Sequence, residues 1–377
     1  MNLGLLGVQL GRSGFGGASL NAQIAALFAS SQPGIVTDLT DMTSLYQTSD
    51  GATAVSALDQ PVGLVLDKRM MSGQTAAAFI ASQPELVTNG NFATDTNWTK
   101  GTGWSISGGQ AISSGAATFS DLIQTIVAPS GEYYQITVDV TRTSGNLLVW
   151  IGTSATLVTI NSSGSKTFII RASGSNSIIF DTSGSAFVGS IDNVSVKAVP
   201  GNHLIQATSN SRPLWKADGA NRYLLFDGVD DRMAAAFTIT NPCERISALR
   251  QISWTSGRFI FGGITAYGHI LYQVVTTPEI SLFASANAAT NANAVIGNNV
   301  VVAEVFNGAS SSITVNNGTP TTGNPGSNVS GGITVAAEQG GFNHSNIRLY
   351  STIERQGTFT AAERALCTQY ANRSIGL

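Results

Sequence analysis

Charged residues make up only 11% of this 377-residue chain, and the formal net charge is −3. So little charge excludes long solvated helices and disorder driven by charge repulsion. No basic cluster is present, which argues against nucleic acid as a partner, because phosphate binding needs concentrated Lys and Arg. There are two cysteines, Cys243 and Cys367, too few for a disulfide framework. They read as free, buried thiols, with a single bridge as the alternative. The apolar run in MNLGLLGVQLGRSGFGG has no basic segment before it and stops at Gly11-Arg12. It fits neither a signal peptide nor a membrane span, so no membrane insertion is expected.

What the chain does have is glycine, 41 residues of it, and much Ser, Thr and Asn. Neutral surfaces rich in hydroxyl and amide groups suit secreted or virion β-proteins, and the length suits two or three domains. Alternating stretches such as Tyr134–Val140 and Ser165–Arg171 predict strands with one buried and one solvated face. Several such strands separated by Gly/Ser turns predict a sandwich. Tyr223–Phe226, closed by Asp227-Gly228, reads as a buried strand with a tight exit. Helices are expected over Thr40–Gln47, within Gly73–Ser82, and after Thr360, where Thr360 and Glu363 form a capping-box pattern. An amphipathic segment, Ser19–Ser30, either contacts another chain or caps the neighbouring domain. After Met233 short strands recur, among them Phe237–Ile239 and Ser311–Asn316, the latter followed by an Asn317-Gly318 hairpin turn.

Three stretches carry resemblances. The run Tyr223–Phe226 with Asp-Gly-Val-Asp-Asp, preceded by Asp38–Lys68 and closed by Phe359-Thr360-x-x-Glu363-Arg364, resembles concanavalin-like (laminin-G/pentraxin-type) lectin domains of phage and prophage virion proteins. In those proteins the segment ending at Asp67-Lys68 runs almost directly into a Gly-Asn-His sequence, here Gly201-Asn202-His203, so an inserted domain is expected between them. Asn89-Gly90-Asn91-Phe92 with two spaced tryptophans, and Ile191-Asp192-Asn193-Val194-Ser195-Val196, resemble the two ends of family 4/9-type carbohydrate-binding modules, which are jelly rolls. The expected fold class is mainly β: two antiparallel β-sandwiches, one inserted in the other, with a short N-terminal segment and a C-terminal helix. The expected domains are an attachment segment at 1–36, a discontinuous lectin-like domain at 37–84 plus 200–377, and the module at 85–199.

The same resemblance implies a virion protein of a phage or gene transfer particle, a tail fibre or head spike, binding a bacterial surface polysaccharide, with a structural decoration or spike-base protein without glycan binding as the alternative and a depolymerase behind both. Its first 36 residues would join other virion proteins. Sugar rings stack on aromatic faces while their hydroxyls pair with polar groups, which makes Trp98, Trp104, Tyr134 and Trp150 candidates, with core packing as the alternative role. Trp254, Tyr267, His269 and Asn343 are further candidates in the lectin-like domain. No cofactor is required. The module resemblance implies a possible structural calcium at Asn91 and Asp192, although Ala93 stands where many members carry an acid.

No catalysis is expected. Concanavalin-like glycoside hydrolases place paired carboxylates on one strand, and here Glu279, Glu304, Glu338 and Glu354 stand isolated, reading as surface or strand-end groups. His203, His269 and His344 lack metal spacing, neither cysteine has a nearby Cys or His, and no Gly-x-Ser-x-Gly elbow occurs.

Overall fold

The computed structural model describes residues 18–29, 32–154, 157–182, 184, 186–265 and 267–377. The chain is mainly β, and its strands assemble into antiparallel sheets. Strands between Thr99 and Ala198 form two five-stranded sheets around one core that includes Phe92, Val138, Phe168 and Phe180. Strands on either side of that stretch, from Gly34 to Val65 and from Leu204 to Gln356, form an eight-stranded and a nine-stranded sheet around a second core. One sandwich thus interrupts the sequence of the other.

Burial patterns show how each sheet is covered. The strand Tyr133–Ser144 of the inner sandwich alternates half-buried and buried residues over its first eight positions, as a sheet with one wet face requires. By contrast, Cys243–Gln251 and Asn346–Gln356, the central strands of the eight-stranded sheet, are buried almost throughout. The C-terminal helix Ala361–Ser374 and the helix Leu20–Ala26 lie over that sheet's outer face, joining Ile24, Phe28, Ile246, Ile353 and Tyr370 in one apolar layer. Thr360 and Glu363 form the reciprocal capping box at the start of the C-terminal helix.

Three expectations change. Thr40–Gln47 is not a helix: a single 3₁₀ turn, Met42–Ser44, leads straight into the strand Leu45–Tyr46. Pairing of Leu45 with Val65 draws this segment into the nine-stranded sheet, and the ladder outweighs local propensity. Phe237–Ile239 lies just past the strand Met233–Ala236. The third change concerns the N-terminus. Helix Leu20–Ala26 caps the sandwich, and the strand Gly34–Val36 pairs with Ile353–Arg355. Of the two roles expected for Ser19–Ser30 this is the capping one, and residues 1–17 of the segment expected to attach lie outside the described residues.

The interrupted motif is rejoined in space. His203 Nδ1 accepts from the N–H of Asp67 at 3.0 Å, and Asp67 Oδ2 accepts from the N–H of Asn202 at 2.8 Å. His203 Nε2 meets the Val199 carbonyl at 2.9 Å, so the point where the chain leaves and the point where it returns are tied by one imidazole. Burial holds that imidazole neutral, with its pKa lowered to about 4. Around this node Leu64, Leu66, Phe79 and Ile80 pack against Ile169 and Val199 of the inserted stretch. Gly51 closes the seam: its φ is +64°, and a Cβ would meet Ile169 at 3.0 Å. No helix among the described residues is long and apolar enough to cross a membrane, which says nothing of strands.

Candidate functional site

The aromatics singled out in the inserted stretch are core residues. Trp98 and Trp104 are 6% and 7% exposed, Tyr134 is 3%, and all three belong to the inner sandwich's core. Both indoles are also anchored by their N–H groups, Trp98 to the Asn89 carbonyl at 3.1 Å and Trp104 to the Ser120 carbonyl at 2.9 Å. Trp150 lies opposite Ile179 on the neighbouring strand and is 8% exposed. The reading of these four as sugar platforms is therefore corrected. A ring burying so much area contributes most where water is excluded, and these do.

Half-buried aromatics that face away from the core gather instead on the nine-stranded sheet, with Tyr267 beside them. In the strands Ile270–Gln273 and Ile280–Phe283, alternation sends Leu271, Ile280 and Leu282 into the core and Tyr272 and Phe283 to the opposite face. Phe259 pairs directly across from Tyr272, and their ring centres are 5.9 Å apart. Tyr267 stands 6.5 Å from Phe259, and Phe283 lies edge-on to Tyr272 at 6.4 Å. With Gly257 and Ile270 the four rings line an open hollow of about 290 Å³ whose walls are almost wholly apolar. Tyr267 is nearly half exposed. Burial raises the Tyr272 phenol above its usual pKa, so it stays a neutral hydroxyl. This shelf offers ring faces to a flat apolar surface.

No family model and no curated protein matches this chain.

Of the candidates named in this sandwich, Tyr267 lines the shelf. Asn343 touches it through the backbone, its carbonyl accepting from the N–H of Phe259 at 3.0 Å. Trp254 is not among the lining residues; its indole donates to the Glu279 carbonyl. His269 is fully buried elsewhere. Phe259, Tyr272 and Phe283 escaped sequence reasoning: alternation is a signal that could have placed each on the outer face of its strand, but not beside one another.

The first and last segments of the inserted stretch do lie side by side: Val194 donates to the Gly90 carbonyl at 2.9 Å, and Leu86 to that of Val196 at 3.0 Å. At that seam Asp192 Oδ1 accepts from the N–H of Asn193, and Asn91 Oδ1 from that of Ala93. Acidic side chains cluster instead at Asp227, Asp230 and Asp231, whose ligand atoms lie within 4.8 Å of one another among the described residues. Turn geometry explains that cluster. Asp227 Oδ1 accepts from the N–H of Val229 at 2.8 Å, Asp231 Oδ2 from that of Asp227 at 3.1 Å, and Gly228 supplies φ +79°. Burial, with Asp227 beside it, raises Asp231 to about 6.

Between the two large sheets lies a polar group that sequence reading missed. Arg245, Glu304 and Glu354 sit in register on three adjacent strands, all on the inner face and at most 1% exposed. Arg245 makes a two-pronged bond to Glu304, donates to the His269 carbonyl, and lies 4.2 Å from the centre of the Phe261 ring. Glu354 is reached only at 3.7 Å, and neither of its oxygens has a hydrogen-bond partner among the described residues. The expectation of isolated surface or strand-end groups is thus corrected for Glu304 and Glu354. Cys243 Sγ lies 3.5 and 3.6 Å from the two ring nitrogens of His269, hence over the ring, while Ser330 and Asn241 engage those nitrogens. Burial raises the thiol pKa and lowers that of His269 to about 3, so the pair is neutral and not an activated thiolate. Both cysteines are free and buried.

Proposed function

We propose that this chain is a virion-associated adhesion protein of a phage or phage-like particle that binds a bacterial surface polysaccharide, capsule or lipopolysaccharide. The shelf of Phe259, Tyr267, Tyr272 and Phe283 is the observation that carries the binding part of this reading. A pyranose presents a flat C–H face, and a cluster of rings on a rigid sheet can take such faces without ordering a loop. The virion setting is supported by the resemblance of the segments around Asp38–Lys68, Asp227–Asp231 and Phe359–Arg364 to phage lectin-like domains. Catalysis has no part in this reading, since Glu304 and Glu354, the carboxylates that share Arg245, are sealed between the sheets.

A second reading, a structural decoration or spike-base protein without affinity for glycans, is favoured by the burial of Trp98, Trp104, Tyr134 and Trp150. Binding of purified protein to capsulated and capsule-less cells separates the two. Under the first reading, binding depends on the capsule and falls about tenfold or more in Tyr267→Ala/Tyr272→Ala, the loss expected when stacking contacts go. Equal binding to both cell types, or none, favours the second; release of short saccharides sinks both.

A further inference from the structure

A second hollow lies where the inserted stretch meets the rest of the chain. It measures about 240 Å³, and Arg69, Glu132, Tyr133, Arg171 and Asn202 are among its lining residues. Both parts of the chain build it: Glu132, Tyr133 and Arg171 come from the inserted stretch, Arg69 and Asn202 from the flanking one. The node described above fixes its floor. Arg69 is braced by Asp67 Oδ2 at 2.8 Å and the Gln32 carbonyl at 3.1 Å, and the Asn202 amide donates to the Gly34 carbonyl at 2.7 Å. Tyr133 packs on His203 with ring centres 4.6 Å apart. Arg171 donates to the Gly131 carbonyl at 2.9 Å and lies 5.8 Å from the centre of the Tyr133 ring. A larger and mainly apolar cavity of about 400 Å³, with Leu157, Val158, Ile169 and Ile205 in its walls, shares Tyr133 and Arg171.

Charge decides what such a hollow selects. The buried carboxylate of Asp67 pairs with Arg69, while Arg171, which engages the Gly131 carbonyl and the Tyr133 ring, and Glu132, of opposite sign, stand at the exposed rim. An anion site would show unbalanced guanidinium groups, and a cation site unbalanced carboxylates. A hydroxyl both donates and accepts, so a ligand covered in hydroxyls uses both kinds of group at once. The Tyr133 ring and the apolar cavity beside it supply surface for C–H groups. Pockets built where two units of a chain meet are also a common location for ligands.

We infer that this junction hollow is a second saccharide subsite, taking a neutral pyranose residue gripped by both sandwiches. The inference rests on the glycan-binding reading and names the class of sugar for a site that the shelf does not include. Arg171 and Glu132 hold the ring hydroxyls, and Tyr133 faces its carbons.

Saturation-transfer NMR with neutral hexose oligosaccharides and matched uronic-acid oligosaccharides tests it, using the full chain and three variants. Arg171→Gln and Glu132→Gln alter exposed side chains, so folding is not at stake; Tyr267→Ala reports on the shelf. The expected result is binding of the neutral series that weakens about tenfold in each junction variant, as loss of a charge-assisted hydrogen bond implies, and survives Tyr267→Ala. Neutral binding untouched by the junction variants overturns the subsite while leaving glycan binding intact. Preference for the uronic series that Arg171→Gln abolishes overturns the assigned class. No binding of either series by the full chain overturns the inference together with the reading beneath it.

Discussion

Glu354 is the residue whose environment is least compensated. Arg245 presents its fork to Glu304 and reaches Glu354 only at 3.7 Å, while neither Glu354 oxygen accepts a hydrogen bond from the described residues. Burial raises its pKa from 4.5 to about 7. An acid whose folded pKa is raised stabilises the fold below its unfolded value, and that contribution is lost as pH climbs through the folded value. The window is therefore about 4.5 to 7. Other buried groups titrate too: His203 and His269, both lowered, stabilise the fold above their unfolded value of 6.5 and lose that contribution as pH falls. The clean measurement is a difference. Stability of the wild type minus that of Glu354→Gln should fall by on the order of 3 kcal/mol between about pH 4 and about pH 8, followed by urea titration at each pH. A difference that stays flat across that range would show that Glu354 ionises in the fold as it does in water.

Elements were legible where a local rule specifies them. At the C-terminal helix, the Thr360 hydroxyl accepts from the N–H of Glu363, whose carboxylate accepts from the N–H of Thr360 and pairs with Arg355 on the sheet. Arg355 is the main reason that Glu363 is lowered to about 2. Thr360→Ala should cost about 1 kcal/mol, read as a lower denaturant midpoint with unchanged slope; no change would mean that packing of Tyr370 and Cys367 alone sets the helix start. The strands Tyr133–Ser144 and Gly164–Arg171 were equally legible, since alternation is visible in the chain itself. The shelf and the Arg245 group were not. Each depends on which strand lies beside which: Phe259 meets Tyr272, and Arg245 meets Glu304 and Glu354, only through sheet order. Alternation tells which face a side chain takes and nothing of its neighbour across the ladder. The tryptophans misled for a related reason, because polar, Gly-rich flanks say little about where a side chain points, whether it leaves a loop, as Trp98 does, or the first position of a strand, as Trp104 does.

For the whole molecule, the decisive feature is how one sandwich interrupts another without loosening it. The end of the inserted stretch at Val199 and the flanking strand end at Asp67 are held together by His203, Asn202 and the fully buried carboxylate of Asp67. The backbone crosses the seam again where Ile169 donates to the Asp50 carbonyl at 2.6 Å. Because the contact is apolar as well as hydrogen-bonded, the two sandwiches should unfold together, giving a single calorimetric transition with calorimetric and van't Hoff enthalpies in agreement. His203→Ala strands the N–H of Asp67 and the carbonyl of Val199 in the interior, each at a cost of about 1–3 kcal/mol. That penalty falls on the seam and not on either core, so the variant should show two transitions where the wild type shows one. It should also weaken the junction hollow, whose floor His203 supports, while leaving the shelf on the nine-stranded sheet able to bind. Two transitions in the wild type would mean that the sandwiches are independent and that the node joins them without coupling them.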